Sequence, residues 1–156
     1  MSYSTIKSSV KILSVSLFVA FVYISCTKSS TPTTTTPTIK PTTFTASVNG
    51  SPTINFTATK TTTSGTTSLI GVSTNYTITL SFPSTTGTGN FFFSSTGFNA
   101  SIVSGSTTYN SNATYCSGTL TIDSITGGKY YGYFNFTGET PSFAMLTVNP
   151  GRFSNL

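Results

Sequence analysis

Few side chains in this sequence could carry out acid, base or nucleophilic chemistry. The chain has no histidine, and Asp123 and Glu139 are its only acidic residues. Without histidine, Ser-His-Asp and Cys-His catalytic sets cannot form, and the commonest metal ligand is missing. Two carboxylates act together as acid and base only at roughly 5 to 10 Å. These two fall near opposite ends of adjacent predicted strands, so we predict a non-enzyme that holds no metal or cofactor.

The cationic residues do not favour a nucleic-acid partner either. Lys7 and Lys11 lie near the N-terminus, ahead of an apolar run, and the other five cations are scattered singly along the chain. Proteins that follow a phosphate backbone carry runs or stripes of cations instead. Gly87-Thr88-Gly89 and Gly127-Gly128 lack the following lysine and the helix of a phosphate-binding loop, so we interpret them as turns.

The remaining candidates for a binding surface are aromatic. In the segment 129–137, alternate residues of a strand would point to opposite faces. One face would carry Tyr130, Phe134 and Phe136, and the other would carry Tyr131, Tyr133 and Asn135. If the phenylalanine face is buried, the other face forms an outward stripe that could stack on sugar rings or bind a protein. The alternative is that both faces are buried.

The elements that must position these residues are predicted to be strands. From Phe44 onward apolar and polar residues alternate between turn signals, most clearly in the segment 76–82. Charged residues make up only 6% of the chain, and Thr, Ser, Phe and Tyr are abundant, which favours strands over exposed helices. We therefore predict an all-β fold, either an antiparallel meandering sandwich or a partly open barrel of roughly eight to ten strands.

Turn residues predict two hairpins within this domain. Asn49-Gly50 supplies the two positive φ angles of a type I′ turn between segments 44–48 and 54–58. Gly127-Gly128 would connect a strand at 120–122 to the aromatic strand. Five further strands are predicted, at 69–73, 90–94, 99–103, 143–148 and 151–154.

The two cysteines lie in different settings. Cys116 follows Ala113-Thr114-Tyr115, where we predict a small buried hydrophobe with no disulfide partner. Cys26 follows an apolar run at 12–24 that is too short to span a bilayer and is preceded by Lys7 and Lys11, as in a secretory signal. One interpretation of this segment is an ordinary cleaved signal in which Cys26 is incidental.

The stretch Tyr23-Ile24-Ser25-Cys26 also resembles the lipobox of bacterial lipoproteins. The resemblance implies that residues 1–25 are a signal peptide, that cleavage follows Ser25, and that Cys26 carries lipid, with the protein in the cell envelope, at the outer membrane. Several acyl chains would anchor it stably. Residues 26–43 are rich in Thr and Pro and too poor in apolar residues to pack, so we predict an extended tether reaching on the order of 50 Å.

Residues 44–156 form the predicted all-β domain, and four short motifs in it are similar to one group of proteins. These are Phe44-Thr45-Ala46-Ser47-Val48-Asn49-Gly50, Gly118-Thr119-Leu120-Thr121-Ile122, Tyr131-Gly132-Tyr133-Phe134-Asn135-Phe136 and Gly151-Arg152-Phe153. They resemble Bacteroidota-type envelope lipoproteins with a β domain of unknown function, which implies a cellular setting and no activity. Asp123-Ser124-Ile125 also resembles the O-glycosylation acceptor sequence of that phylum, which implies a glycan on Ser124. The other interpretation is that Asp123 solvates a hairpin tip near Lys129.

The sequence thus predicts a non-catalytic, monomeric lipoprotein that meets the membrane through the lipid on Cys26. Its β domain would bind a glycan or protein at the surface or have a structural role. The alternative is a lipocalin-like barrel that carries a small apolar ligand. A filled interior would favour the first function, and an open cavity of a few hundred Å³ would favour the second.

Overall fold

The protein is described by a computed structural model that covers residues 41–156. The predicted signal, the predicted lipidation at Cys26 and the predicted tether up to residue 40 lie outside the described residues. The described chain folds into eleven strands: β1 (Thr43–Val48), β2 (Ile54–Asn55), β3 (Thr57–Thr63), β4 (Thr66–Val72), β5 (Tyr76–Pro83), β6 (Gly89–Phe92), β7 (Asn99–Ser104), β8 (Thr107–Asn110), β9 (Gly118–Thr126), β10 (Lys129–Glu139) and β11 (Met145–Ser154). Within this range no helix has the length and apolar character needed to cross a membrane.

The strands build one antiparallel sheet that curls into a nearly closed barrel. Nine of them follow the order β2-β1-β11-β10-β8-β7-β5-β4-β3. The long strand β10 changes partners along its length, because β9 pairs with it from Lys129 to Phe136 and β8 pairs with it only at Glu139. Strand β6 extends the sheet beyond β9. This architecture confirms the predicted fold class of a partly open all-β barrel.

The barrel closes through β2 and β3, which are nearly continuous in sequence. β2 pairs with β1, whereas β3 pairs with β4 at the other end of the strand order. The bend between them lies at Phe56, whose backbone N–H donates to the Phe44 carbonyl at 2.8 Å. Lys60 links β3 to the hairpin formed by β9 and β10. Its ammonium group donates to the Gly128 carbonyl in the turn and lies 5.3 Å from the centre of the Tyr130 ring.

The turns of both predicted hairpins are confirmed, but the predicted strand 54–58 is divided at Phe56: Ile54 and Asn55 pair with β1, whereas residues from Thr57 onward pair with β4. Asn49 and Gly50 have φ angles of 49° and 72°, and Gly127 and Gly128 have 57° and 74°, so each pair supplies the two positive φ angles of a type I′ turn. The Ser51 N–H closes the first turn by donating to the Val48 carbonyl at 3.0 Å.

The predicted break between strands 143–148 and 151–154 is wrong. β11 runs unbroken from Met145 to Ser154 and lies between β1 and β10. Pro150 cannot donate a hydrogen bond, yet it is accommodated because the registers with both neighbouring strands shift between Val148 and Gly151. Asn149 and Pro150 thus form a bulge on both sides of the strand. The prediction also missed the short strand β8.

Aromatic side chains fill the space enclosed by the sheet. Phe134 packs its ring 5.1 Å from that of Phe44 and 6.3 Å from that of Phe153, measured between ring centres. Glycine makes room for these rings: a Cβ on Gly151 would overlap the Phe134 ring, and one on Gly132 would lie 2.9 Å from Cζ of Phe153. All the buried hydrophobic residues of the described chain belong to this single cluster.

Candidate binding groove on the outward face

The aromatic strand β10 has one buried face and one outward face for most of its length. The even positions from Tyr130 to Gly138 are all buried. Among the odd positions, Tyr131 is partly exposed and Tyr133 and Asn135 are exposed. The phenylalanine face is therefore the core, which is the condition under which the sequence predicts an outward stripe of Tyr131, Tyr133 and Asn135.

A row of paired residues carries this outward surface across neighbouring strands. Tyr133 of β10 pairs with Thr121 of β9 on one side and with Arg152 of β11 on the other. Thr121 in turn pairs with Asn90, and Arg152 pairs with Thr45. Directly paired residues of antiparallel strands point to the same side of the sheet. The row therefore places aromatic, cationic and amide groups side by side on one surface.

Arg152 and Tyr133 hold each other in place within the row. A terminal nitrogen of the Arg152 guanidinium donates to the Tyr133 hydroxyl at 2.7 Å, and its central carbon lies 4.8 Å from the centre of the Tyr133 ring. Nearby, the Tyr131 hydroxyl donates to the Asn155 side-chain carbonyl at 3.4 Å. Both tyrosines are thus oriented by contacts within the surface before any ligand arrives.

These residues line a cleft, which we call the tyrosine groove. It has a volume of about 330 Å³ and is lined by Thr43, Asp123, Ser124, Tyr131, Gly132, Tyr133, Arg152, Phe153 and Ser154. Asp123 reaches it because the register between β9 and β10 shifts: Ser124 pairs with Tyr131 and Ile122 pairs with Gly132, which leaves Asp123 as an additional residue on β9. The groove therefore combines two tyrosine side chains, one cation, one carboxylate and several hydroxyls beside the buried Phe153.

Further polar and aromatic groups continue the surface beyond the groove. Asn135 donates from its amide to the Thr119 hydroxyl at 2.7 Å, and Thr119 pairs with Phe92 of β6. Phe92 is 61% exposed although its neighbour Phe93 is buried. The run Phe91-Phe92-Phe93 thus contributes an exposed ring to the same side of the sheet.

The C-terminal end of β10 differs from the groove, because the acidic side chain there is buried. Glu139 has an exposed fraction of only 4%. By strand alternation Glu139 lies on the same side as Tyr133. Residues of the segment 110–114 and of the loop 140–144 line a second cleft with it, of about 260 Å³. About 3.3 Å per residue separates strand positions, so Asp123 and Glu139 lie roughly 25 Å apart.

Cys116 lies close to this buried carboxylate. The thiol lies in the segment between β8 and β9 and is only partly buried, which differs from the predicted small buried hydrophobe. Burial raises the pKa of the Cys116 thiol, and the negative charge of Glu139 raises it further, against a smaller lowering effect of the Ala113 backbone. Cys116 is therefore held mainly in its protonated form at neutral pH.

Several residues of the outward surface were not singled out from the sequence. Arg152 in the groove, and Thr121 and Asn90 beside it, join Tyr133 only through strand pairing, and the sequence does not fix which strands are neighbours. Arg152 could have been found from the alternation in Gly151-Arg152-Phe153, which turns the arginine away from a buried phenylalanine. Across the described residues no three His, Cys, Asp or Glu side chains form a group able to hold a metal ion.

Open depressions elsewhere on the domain have a plainer chemistry. One depression of about 650 Å³ is lined by Ile54, Asn55 and Thr57 on one side and by the segment 72–76 on the other. None of these side chains is charged. The tyrosine groove differs from it in bringing ionic, aromatic and hydroxyl groups together.

Comparisons with known proteins return no matching family model, no matching curated protein and no matching solved structure.

Proposed function

We propose that this protein is a non-catalytic envelope lipoprotein of the Bacteroidota type, whose β domain binds a surface glycan in the tyrosine groove. The observation that carries the proposal is the convergence of Tyr131, Tyr133 and Arg152 with a carboxylate and hydroxyls in one cleft of about 330 Å³. The barrel supplies the scaffold for that surface.

The chemistry of the groove suits a sugar better than a purely apolar ligand. A pyranose ring presents apolar C–H faces that stack on aromatic rings, and hydroxyls that donate and accept hydrogen bonds. Tyr133 is 43% exposed and is oriented by Arg152, so it can stack without losing much side-chain freedom. Asp123 and Ser124 supply an acceptor and a hydroxyl at the rim. A preorganised surface lowers the entropic cost of binding.

The filled interior is the reason we place the ligand outside the barrel. The barrel-like fold is compatible with the lipocalin-like alternative, in which an apolar ligand occupies the interior. Here, however, large side chains such as Phe44, Phe82 and Phe136 are less than 2% exposed and occupy that space.

Anchoring through Cys26 is proposed from the sequence. The apolar run ends directly at the lipobox-like Tyr23-Ile24-Ser25-Cys26, and the Thr- and Pro-rich segment after it would hold the domain away from the membrane. Cys26→Ser should move the protein from the membrane fraction to the soluble fraction. A free Cys26 thiol in the intact mass of the secreted wild-type protein would contradict the anchoring.

Glycan binding is tested by titrating the purified protein with short oligosaccharides of glucose, xylose, mannose and N-acetylglucosamine, followed by calorimetry and amide chemical shifts. We expect at least one series to bind with a dissociation constant on the order of 0.1 to 1 mM, and Tyr133→Ala to weaken it at least about tenfold. Tyr115→Ala is the matched control, since Tyr115 is an exposed tyrosine, at 68%, outside the groove. Equal loss in both variants, or no binding to any series, would contradict the proposal.

A further inference from the structure

The cleft at the far end of β10 contains a buried acid without a counterpart. Glu139 Oε1 is closed to solvent and has no hydrogen-bond partner. An unpaired buried carboxylate oxygen is costly, and native folds normally pair such a group with a cation or donors. We call this site the Glu139 cleft, lined by Asn110, Asn112, Ala113, Thr114, Glu139, Thr140, Pro141 and Phe143.

An aromatic ring lies on the rim of this cleft in a strained conformation. Phe143 has φ of +65°, a left-handed conformation that bulky residues rarely adopt. Its side chain is nevertheless 72% exposed, so core packing does not explain why phenylalanine occupies the position. Strain of this kind concentrates at binding sites.

The loop holds Phe143 in that place through Thr140. The Phe143 N–H donates to the Thr140 carbonyl at 2.9 Å, and the Ala144 N–H donates to the Thr140 hydroxyl at 3.1 Å. The Tyr115 ring, also exposed, lies 6.5 Å from the Phe143 ring between centres, with the two planes tilted by 58°. Two aromatic rings therefore stand at a cleft whose wall contains an unpaired carboxylate.

We propose that the Glu139 cleft binds an alkylammonium group, with Glu139 as its counter-ion and Phe143 as a cation–π partner. A carboxylate next to aromatic faces is the combination that recognises organic cations. The amide and hydroxyl oxygens of Asn112 and Thr114 can accept its remaining N–H donors. The ligand is the charged amine of a small molecule or of a lysine side chain.

A metal ion fits the same residues less well. Calcium takes six to eight oxygen ligands, usually with several carboxylates, and Glu139 is the only carboxylate lining this cleft. The exposed ring of Phe143 offers nothing to a hard divalent ion, whereas it can stabilise an organic cation. Calcium is therefore a suitable negative probe.

The experiment monitors amide chemical shifts of the purified protein during titration with methylammonium and with Nα-acetyl-L-lysine methylamide. We expect saturable shifts around Glu139, Phe143 and Cys116, with a dissociation constant on the order of 1 mM for the lysine derivative. Tighter binding of the lysine derivative than of methylammonium would assign the site to lysine side chains of proteins. Equal binding of the two compounds would assign it to small free amines. The Nε-acetylated derivative, which is neutral, and calcium should cause no saturable shift.

Two variants separate binding from folding. Glu139→Gln keeps the shape and removes the charge, and it should weaken binding by roughly tenfold or more. Phe143→Gly suits the positive φ, so it should weaken binding severalfold while leaving the melting temperature unchanged or higher. Tyr133→Ala, in the tyrosine groove, is the matched control and should bind the amine as the wild type does.

Three results would overturn the proposal: no saturable shift with either amine, equal binding by Glu139→Gln, or equal binding of the neutral derivative. If Glu139→Gln fails to fold, Phe143→Gly decides, since undiminished binding by that variant would also overturn it. Because the probes and residues differ from those of the tyrosine groove, failure here leaves glycan binding unaffected.

Discussion

The outward side of β10 carries two contrasting sites. At the tyrosine groove, Tyr133 and Arg152 are exposed and hydrogen-bonded to each other. At the Glu139 cleft, a carboxylate is buried and one of its oxygens has no partner. The polar groups of the groove are exposed and paired, so they should cost the fold little, whereas burial of a carboxyl group with an unpaired oxygen should cost it stability. Polar side chains on one strand can therefore affect stability in opposite directions, depending on what covers them.

The buried face of β10 should contribute far more to stability than its outward face. Phe134 is buried beside Phe44 and Phe153, so Phe134→Ala should lower the free energy of unfolding by about 3 to 5 kcal/mol. The neighbouring exposed substitution Tyr133→Ala should lower it by only about 0.5 kcal/mol. Urea unfolding of both variants measures the difference. Comparable losses would mean that the outward face is structural.

At the Glu139 cleft we expect a substitution to increase the stability of the fold. Glu139→Gln replaces a buried carboxyl group, one oxygen of which lacks a hydrogen-bond partner, so the free energy of unfolding in the absence of ligand should rise by about 1 kcal/mol. Chemical denaturation at neutral pH measures it, with Asp123→Asn as the control because Asp123 is exposed. A loss of stability in Glu139→Gln greater than that in the control would show that the carboxylate contributes to the fold.

Ser124 offers a way to change the groove without altering its rings. It is exposed at the groove rim, and its acceptor-like sequence predicts that protein from the native envelope is heavier than the chain made in a host without the glycosylation pathway. Ser124→Ala should remove the difference in intact mass. A glycan there should also weaken oligosaccharide binding, because it would occupy the groove entrance. Equal masses from both hosts, after correction for lipid, would leave Ser124 unmodified.

The smallest expected effect concerns Cys116. Burial, and then the charge of Glu139, raise the pKa of its thiol, and the thiolate is the form that is alkylated. Iodoacetamide should therefore react with the folded protein more slowly than with the unfolded chain at pH 8. Glu139→Gln removes the second cause, lowers the pKa and should modestly increase the rate. The increase should vanish at a pH well above the pKa, where the thiol is fully ionised in both proteins.

Local sequence patterns predicted much of the fold and part of the groove. Alternation divided the residues of β10 between two faces, and Asn49-Gly50 identified a turn, because both depend on neighbours in sequence. Which face is buried, the contact of Arg152 with Tyr133 and the burial of Glu139 were not predicted, because they depend on pairing between distant strands and on how loops cover the sheet. The sequence predicted two strands where the structure has the single strand β11. A proline usually interrupts a strand, and the bulge that accommodates Pro150 depends on pairing with both neighbouring strands, which the segment itself does not reveal.

The position of β11 has a consequence for the order in which the barrel can fold. This last strand lies between β1 and β10, and Thr43 is hydrogen-bonded to Ser154 across 111 residues of sequence. Until β11 is in place, β1 has a partner only at Thr45 and Ala46, where it pairs with β2, so the barrel cannot close. Pairings this distant also form slowly. The rate at which the domain folds should therefore depend on a pairing between its first and its last strand, so that removing residues 145–154 would leave both β1 and β10 without a neighbour along most of one edge.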